Sequence, residues 1–321
     1  MRVRCCRPID GCPARIQPSP CLPLPYRFFP SWRFLRLVAC NDSVYSFVQY
    51  LFSQLRVDGK PPSSLWRRTV IIGIIGVGHL AASILSGLVG AGVDPADILL
   101  SPRGQAHALS ARWGIPLAAD NDDLVNRADI VLLSVRPVDA HTAAADLPWR
   151  PGQTLVSFCA GVTISRLEAG PARVMRAMPL TSAAINASPT VCFPATGPAI
   201  AVLEKLGPVI PLGSEEEFEV ATVNAAVYGW AQDLIRQSAD WTTARGGDAM
   251  AMRKLAALTF VAAGRLIAET DKPMETLIGE LVTPGGITEL GLGVLAREGQ
   301  PQAWQAACDA VLQRLSGRVP A

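Results

Sequence analysis

The run Val70-Ile71-Ile72-Gly73-Ile74-Ile75, followed at once by Gly76-Val77-Gly78-His79-Leu80-Ala81, constrains this chain more than any other segment. A short apolar run rich in β-branched residues suits a strand buried on both faces. Leu80, Ala81, Ile84, Leu85 and Leu88 then recur at helical spacing, and Gly90-Ala91-Gly92 ends the helix. A G-x-G-x-x-A turn between such a strand and such a helix has a physical reading. The first glycine permits a tight turn, and the second lets the backbone approach a pyrophosphate. The small third residue lets the helix pack on the strand, and the helix N-terminus faces the phosphates. The pattern alone is weak in a chain with 27 glycines. Its place at the head of an alternating α/β segment makes it specific. Gly76, Gly78, His79, Leu80 and Ala81 are therefore expected to hold a dinucleotide.

The alternation continues. Ile98-Leu99-Leu100 reads as a strand, Gln105 to Trp113 as a helix, and Ile130 to Val135 as a buried strand stopped by Pro137. Thr154 to Phe158 and Arg173 to Met175 read as further strands. Strands alternating with helices predict an α/β Rossmann-type doubly wound parallel sheet over residues 69–213. After residue 213 the strand signals stop. Ser214-Glu215-Glu216-Glu217 is a capped, acidic helix start, and Ala- and Leu-rich periodic stretches follow as far as Leu315. Residues 214–321 are expected to be an all-α domain for dimerisation and substrate binding.

The first 68 residues differ in kind. Seven prolines between Pro8 and Pro30 punctuate a stretch without periodicity, and the segment reads as a disordered N-terminal extension. It carries 11 Lys and Arg against 3 Asp and Glu, while the remainder carries 18 against 24. An acidic body argues against nucleic acid as a partner. The run Val44–Phe52 is too short and too polar to span a bilayer, so no membrane partner is expected. Five of the eight cysteines lie in the first 40 residues; Cys159, Cys192 and Cys308 are scattered through the body. That scatter fits a reduced, cytoplasmic setting. His79, His107 and His141 likewise lack partners at metal-ligand spacing, and no metal site is expected.

Cofactor choice is read at the end of the second strand. An NAD site usually shows a carboxylate there for the ribose 2′-hydroxyl. Here the chain reads Ser101-Pro102-Arg103-Gly104, offering a hydroxyl and a guanidinium to a 2′-phosphate and no carboxylate to repel it. NADP(H) is the preferred cofactor on this reading, with NAD(H) also admissible.

Five motifs in order resemble the pyrroline-5-carboxylate reductase family over roughly residues 70–316. Ile72 to Ala81 is similar to I-G-F-I-G-x-G-N-M-A, with His79 for Asn, and Ser134-Val135-Arg136-Pro137 resembles a Lys-Pro turn with Arg for Lys. Ser157-Phe158-Cys159-Ala160-Gly161-Val162 resembles S-x-x-A-G-[IV]. Arg176 to Thr181 resembles R-x-M-P-N-T with Leu180 for Asn, and Thr283-Pro284-Gly285-Gly286-Ile287-Thr288 resembles S-P-G-G-[TA]-T. The resemblance implies a helical domain that interlocks two subunits. It implies reduction of L-1-pyrroline-5-carboxylate to L-proline, and cofactor contacts at Ser134, Arg136, Pro137, Ala160 and Gly161. It also implies a ring-nitrogen contact from the Thr288 hydroxyl. The backbone N–H groups of Gly285 and Gly286, opening a helix, and the Thr283 hydroxyl suit a substrate carboxylate.

One segment departs from the family pattern. Where the family has S-G-S-G-P-A, this chain has Asn224-Ala225-Ala226-Val227-Tyr228-Gly229, so Val227 and Tyr228 add bulk. Two alternatives stay open on that account. One is a reductase of a different cyclic imine or ketimine; the other is a catalytically inactive, nucleotide-binding dimeric paralogue.

Overall fold

The computed structural model describes residues 70–317, so the expected N-terminal extension lies outside the described residues. The glycine-rich turn joins strand β1 (Ile72–Ile75) to helix α1 (His79–Gly90). Next come β2 (Ile98–Leu100), α2 (Ala106–Trp113), α3 (Asn121–Arg127), β3 (Ile130–Leu133) and α4 (Ala140–Ala144). Then follow β4 (Thr154–Ser157), β5 (Arg173–Met178), β6 (Thr190–Phe193), α5 (Ala199–Leu203) and β7 (Val209–Pro211). The strands form one seven-stranded sheet in the order β2-β1-β3-β4-β5-β6-β7.

From β2 to β5 all pairings are parallel. The chain leaves β1 toward one side for β2 and returns to the other side for β3. The crevice at that reversal, outside the carboxyl ends of β1 and β3, is where such sheets bind ligands. The sheet departs from a purely parallel one at its far edge. There β6 runs antiparallel to β5, and β7 parallel to β6, two strands that sequence periodicity did not signal.

Alternation along each strand feeds two cores. Ile72, Ile74, Ile98, Leu100, Ile130 and Leu132 face α1 on one side, where Ile84, Leu85 and Leu88 meet them. Ile75, Leu99, Val131, Leu133 and Leu155 face the other side, against Leu124 and Val125 of α3. Each such side chain, taken fully out of water, contributes roughly 1.5–3 kcal/mol.

Beyond Pro211 the described chain is helical: α6 (Glu215–Thr222), α7 (Asn224–Thr243), α8 (Ala249–Ala268), α9 (Met274–Leu281), α10 (Ile287–Arg297) and α11 (Gln300–Leu315). Ser214 caps α6 by accepting from the Glu217 N–H at 3.0 Å. The join to the sheet is ionic. Arg176 on β5 is 1 % exposed and donates to Glu215 at 3.0 Å and Glu219 at 2.6 Å, with Phe218 beneath its guanidinium. The remaining helices bury little: α7 and α8 have one buried residue each, Ala239 and Ala256, and α9, α10 and α11 have none. Leu255, Val261, Met274, Leu281, Ile287 and Leu290 are all more than half exposed. So large an unpaired apolar face on one chain marks an association surface.

Candidate active site

The crevice at the carboxyl ends of β1 and β3 encloses about 920 Å³, within the size range of cofactor sites. Its walls are the glycine turn (Gly76, Val77, Gly78), the segment after β2 (Ser101, Arg103, Gly104) and the segment after β3 (Ser134, Val135, Arg136, Asp139). The two motif glycines serve different ends. Gly76 has φ +88°, and a Cβ there would sit 2.6 Å from the Ser134 carbonyl oxygen, so the fold itself requires glycine. Gly78 has φ −99° and nothing within 4 Å of a Cβ, so neither backbone nor packing requires it. Its small size keeps the space in front of α1 free. No acidic residue lies in the first turn of α1 to offset the helix dipole. The unpaired N–H groups of that turn, with no carboxylate beside them, offer the donors an anion would need.

Two hydrogen bonds brace this wall. The Gly76 N–H donates to the Ser101 hydroxyl oxygen at 3.3 Å, and the Gln105 N–H donates to the Val77 carbonyl at 2.9 Å. Ser101 is 2 % exposed. Its acceptor therefore serves the glycine turn rather than standing open at the crevice mouth, as the sequence suggested. Arg103 is exposed on the wall and makes no ion pair among the described residues. Arg136 is exposed and bonded to Asp139 at 2.8 Å, and that hydrogen bond raises its already high pKa. Asp139 is the crevice's one carboxylate and faces a partner of its own.

The other expected residues are not themselves in the crevice lining, though His79, Leu80 and Ala81 open α1 directly after Gly78. His79 is exposed on α1, Leu80 packs partly against the core, and Ala81 is fully buried. Pro137 and Gly161 line a separate shallow cleft with His141 and Arg166. Gly161 also backs onto the Leu315 carbonyl of α11. Ala160, half-buried beside it, is not in the crevice wall either. Cys159, next in line, is buried, and burial pushes its thiol pKa up, away from reactivity. Sequence reading missed Asn121 and Thr142, which complete the crevice from the starts of α3 and α4. Neither belongs to a motif.

The Thr283–Thr288 segment forms the loop before α10 and contributes no wall to the crevice of its own chain. Thr283, Gly285 and Thr288 are exposed, and Gly286 is half-buried. Gly285 N–H donates to Glu289 Oε2 at 2.7 Å, and Gly286 N–H donates to the Thr283 carbonyl at 2.8 Å. The two amides singled out for a substrate carboxylate are thus already engaged. The N–H groups of Ile287 and Thr288, in the first turn of α10, have no acceptor within the helix.

Two family models match the chain. One described as "NADP oxidoreductase coenzyme F420-dependent" covers residues 71–161, and one described as "Pyrroline-5-carboxylate reductase dimerisation" covers residues 215–317. Among curated relatives, pyrroline-5-carboxylate reductase 1 of Bacillus spizizenii is 28% identical over 254 residues, spanning 72% of this chain and 84% of the relative. Pyrroline-5-carboxylate reductase of Glycine max is 29% identical over 245 residues, spanning 71% and 88%. The solved pyrroline-5-carboxylate reductase of Coxiella burnetii shares the fold at a TM-score of 0.66 and 23% identity, covering 79% of this chain and 100% of that one. The Plasmodium falciparum pyrroline carboxylate reductase, solved with NADP bound, shares the fold at a TM-score of 0.67 and 19% identity, covering 77% and 97%.

Proposed function

The chain belongs to the pyrroline-5-carboxylate reductase family as a divergent member, a Rossmann-type oxidoreductase with a helical dimerisation domain, and from that premise we propose that it reduces the C=N bond of a cyclic imine of the pyrroline class. L-1-Pyrroline-5-carboxylate, giving L-proline, is the substrate its relatives' names point to. The observation that carries the reading is Gly78, kept small where nothing in the protein needs it small, in front of an uncompensated helix N-terminus.

The residues present fit NADP(H). Gly78 and the first turn of α1 would hold the pyrophosphate, Arg103 would pair with a 2′-phosphate, and Ser101 would act indirectly by bracing the turn. When bound, the cofactor supplies a hydride to the imine carbon, and the nitrogen takes a proton from solvent. The protein's task is then to hold the ring at the right distance and keep water out. We assign the ring-nitrogen contact to the Thr288 hydroxyl, and the substrate carboxylate to Thr283 and the free first-turn amides of α10. That loop does not meet its own chain's crevice, and the apolar faces of α8 to α10 are uncovered in one chain. A second copy would therefore bring the loop to the crevice, so the working enzyme is a homo-oligomer. Among the described residues no helix is long and apolar enough to cross a membrane, and Cys159, Cys192 and Cys308 are all free thiols. A cytoplasmic location is the setting that suits them.

The test is NADPH oxidation by the purified chain over a panel of cyclic imino acids. Turnover of none of them, with NADPH bound, would leave the inactive paralogue as the better description.

A further inference from the structure

We infer that this protein favours pyrrolines carrying an apolar ring substituent, which enters a second cleft at the carboxyl end of β5; this rests on the imine-reductase reading above. The cleft encloses about 440 Å³. Its floor is one row across three neighbouring strands: Met178 on β5 stands opposite Val191 on β6, which stands opposite Ile210 on β7. Its roof is the start of α7, where Ala225, Val227 and Tyr228 face the row, and Leu180 closes the end just past β5. No charged residue lines it. The polar groups there are both held: Tyr228 accepts a hydrogen bond from the Thr181 hydroxyl at 3.3 Å, and the Asn224 amide donates to the Ala221 carbonyl at 3.2 Å.

The position is what ties this cleft to catalysis. β5 runs parallel to β4, β3 and β1, so Met178 and Leu180 lie on the same carboxyl edge as Gly76 and Ser134. The dinucleotide crevice and the cleft therefore share one edge of one sheet, where ligands of open α/β sheets bind. The composition of the lining is the second observation. Leu180 from one motif and Asn224, Ala225, Val227 and Tyr228 from another, all differing from the resembled patterns, meet in this one cleft. Leu180, Val227 and Tyr228 set a bulky apolar or aromatic side chain where the resembled patterns have Asn, Gly and Pro. Apart from Asn224, whose amide is bonded to the Ala221 carbonyl, these side chains give the wall an apolar face suited to an apolar guest. A carboxylate inside this wall would lose its water with no cation to replace it.

The experiment compares kcat/KM for L-1-pyrroline-5-carboxylate and for 2-phenyl-1-pyrroline with the full chain and NADPH, in wild type and Leu180→Asn. Each apolar carbon added in such a pocket is worth about tenfold to two-hundredfold in kcat/KM. The aryl pyrroline is expected to exceed pyrroline-5-carboxylate at least tenfold, and Leu180→Asn to move the ratio at least tenfold back. NADPH affinity and sedimentation of the variant should match wild type. A wild-type preference for pyrroline-5-carboxylate overturns the inference alone, and needs no variant to fold. A Leu180→Asn variant that loses NADPH affinity shows the cleft to be the nicotinamide's seat, and one that changes only in sedimentation shows it to be covered by a second copy. Either result also overturns it. Reduction of neither imine overturns the imine-reductase reading and this inference together.

Discussion

Gly76 and Gly78 sit two residues apart in one motif, yet replacing each by alanine should fail in a different way. At Gly76 the backbone is left-handed at φ +88°, and a Cβ would meet the Ser134 carbonyl oxygen at 2.6 Å. The first term costs roughly 1–2 kcal/mol and the second, as overpacking, about 1–3 kcal/mol, so Gly76→Ala should lose about 2–5 kcal/mol of stability. At Gly78 the backbone is extended and a Cβ meets nothing within 4 Å. Gly78→Ala should cost at most about 1 kcal/mol, the lower N-cap preference of alanine. With the cofactor placed as proposed, the alanine methyl group instead stands where the pyrophosphate would approach the helix amides. Losing one charge-assisted hydrogen bond there costs about 1.5–3 kcal/mol, or roughly 10- to 150-fold in NADPH affinity. Urea unfolding and fluorescence titration with NADPH, run on both variants, separate the effects. The reasoning is refuted if Gly78→Ala destabilises as much as Gly76→Ala, or if it binds NADPH like wild type.

Arg103→Ala should weaken NADPH by about 1–2 kcal/mol and leave NADH nearly unchanged; equal losses in calorimetric titrations would show that the arginine does not read a 2′-phosphate. Thr288→Val keeps the β-branched shape and removes the hydroxyl, and should lower kcat/KM about 10- to 100-fold with NADPH binding intact. Full activity of that variant on a confirmed substrate would remove Thr288 from the chemistry. Sedimentation at micromolar concentration should give at least twice the 34.1 kDa chain mass; a clean monomer would contradict the reading of the exposed helical faces.

Much of the fold was legible because it is written locally. The strands at Ile72, Ile98 and Ile130 are buried on both faces, so each is a continuous apolar run that needs no knowledge of its neighbours, and the strand at Thr154 keeps Leu155 and Val156 at its centre. The strands β6 and β7 are short and framed by Pro189, Pro194 and Pro208, so they look like loop until β5 supplies a partner. The site divides in the same way. Gly76 and Gly78 act through their own backbone and could be read directly. Ser101 could not: its hydroxyl looks free in sequence, and only the pairing of β1 with β2 sets it against the Gly76 N–H. Ala160 and Gly161 follow a strand end, as crevice residues do, but α11 lies against Gly161. The apolar cleft was the least legible, since it needs residues 180 and 227 in one wall. Leu180 and the segment from Asn224 stand far apart in the sequence and line one cleft only once the chain is folded.

The helices α9 and α10, with no buried residue in one chain, have a consequence for how this protein behaves on dilution. Helices of 8 and 11 residues are marginal in water without a partner surface. Their ordering and the encounter with a second copy are then one equilibrium, governed by mass action. Specific activity and melting temperature should not be treated as constants of the chain but as functions of its concentration. A dilute assay would report a lower value of both, even though no residue in the crevice had changed.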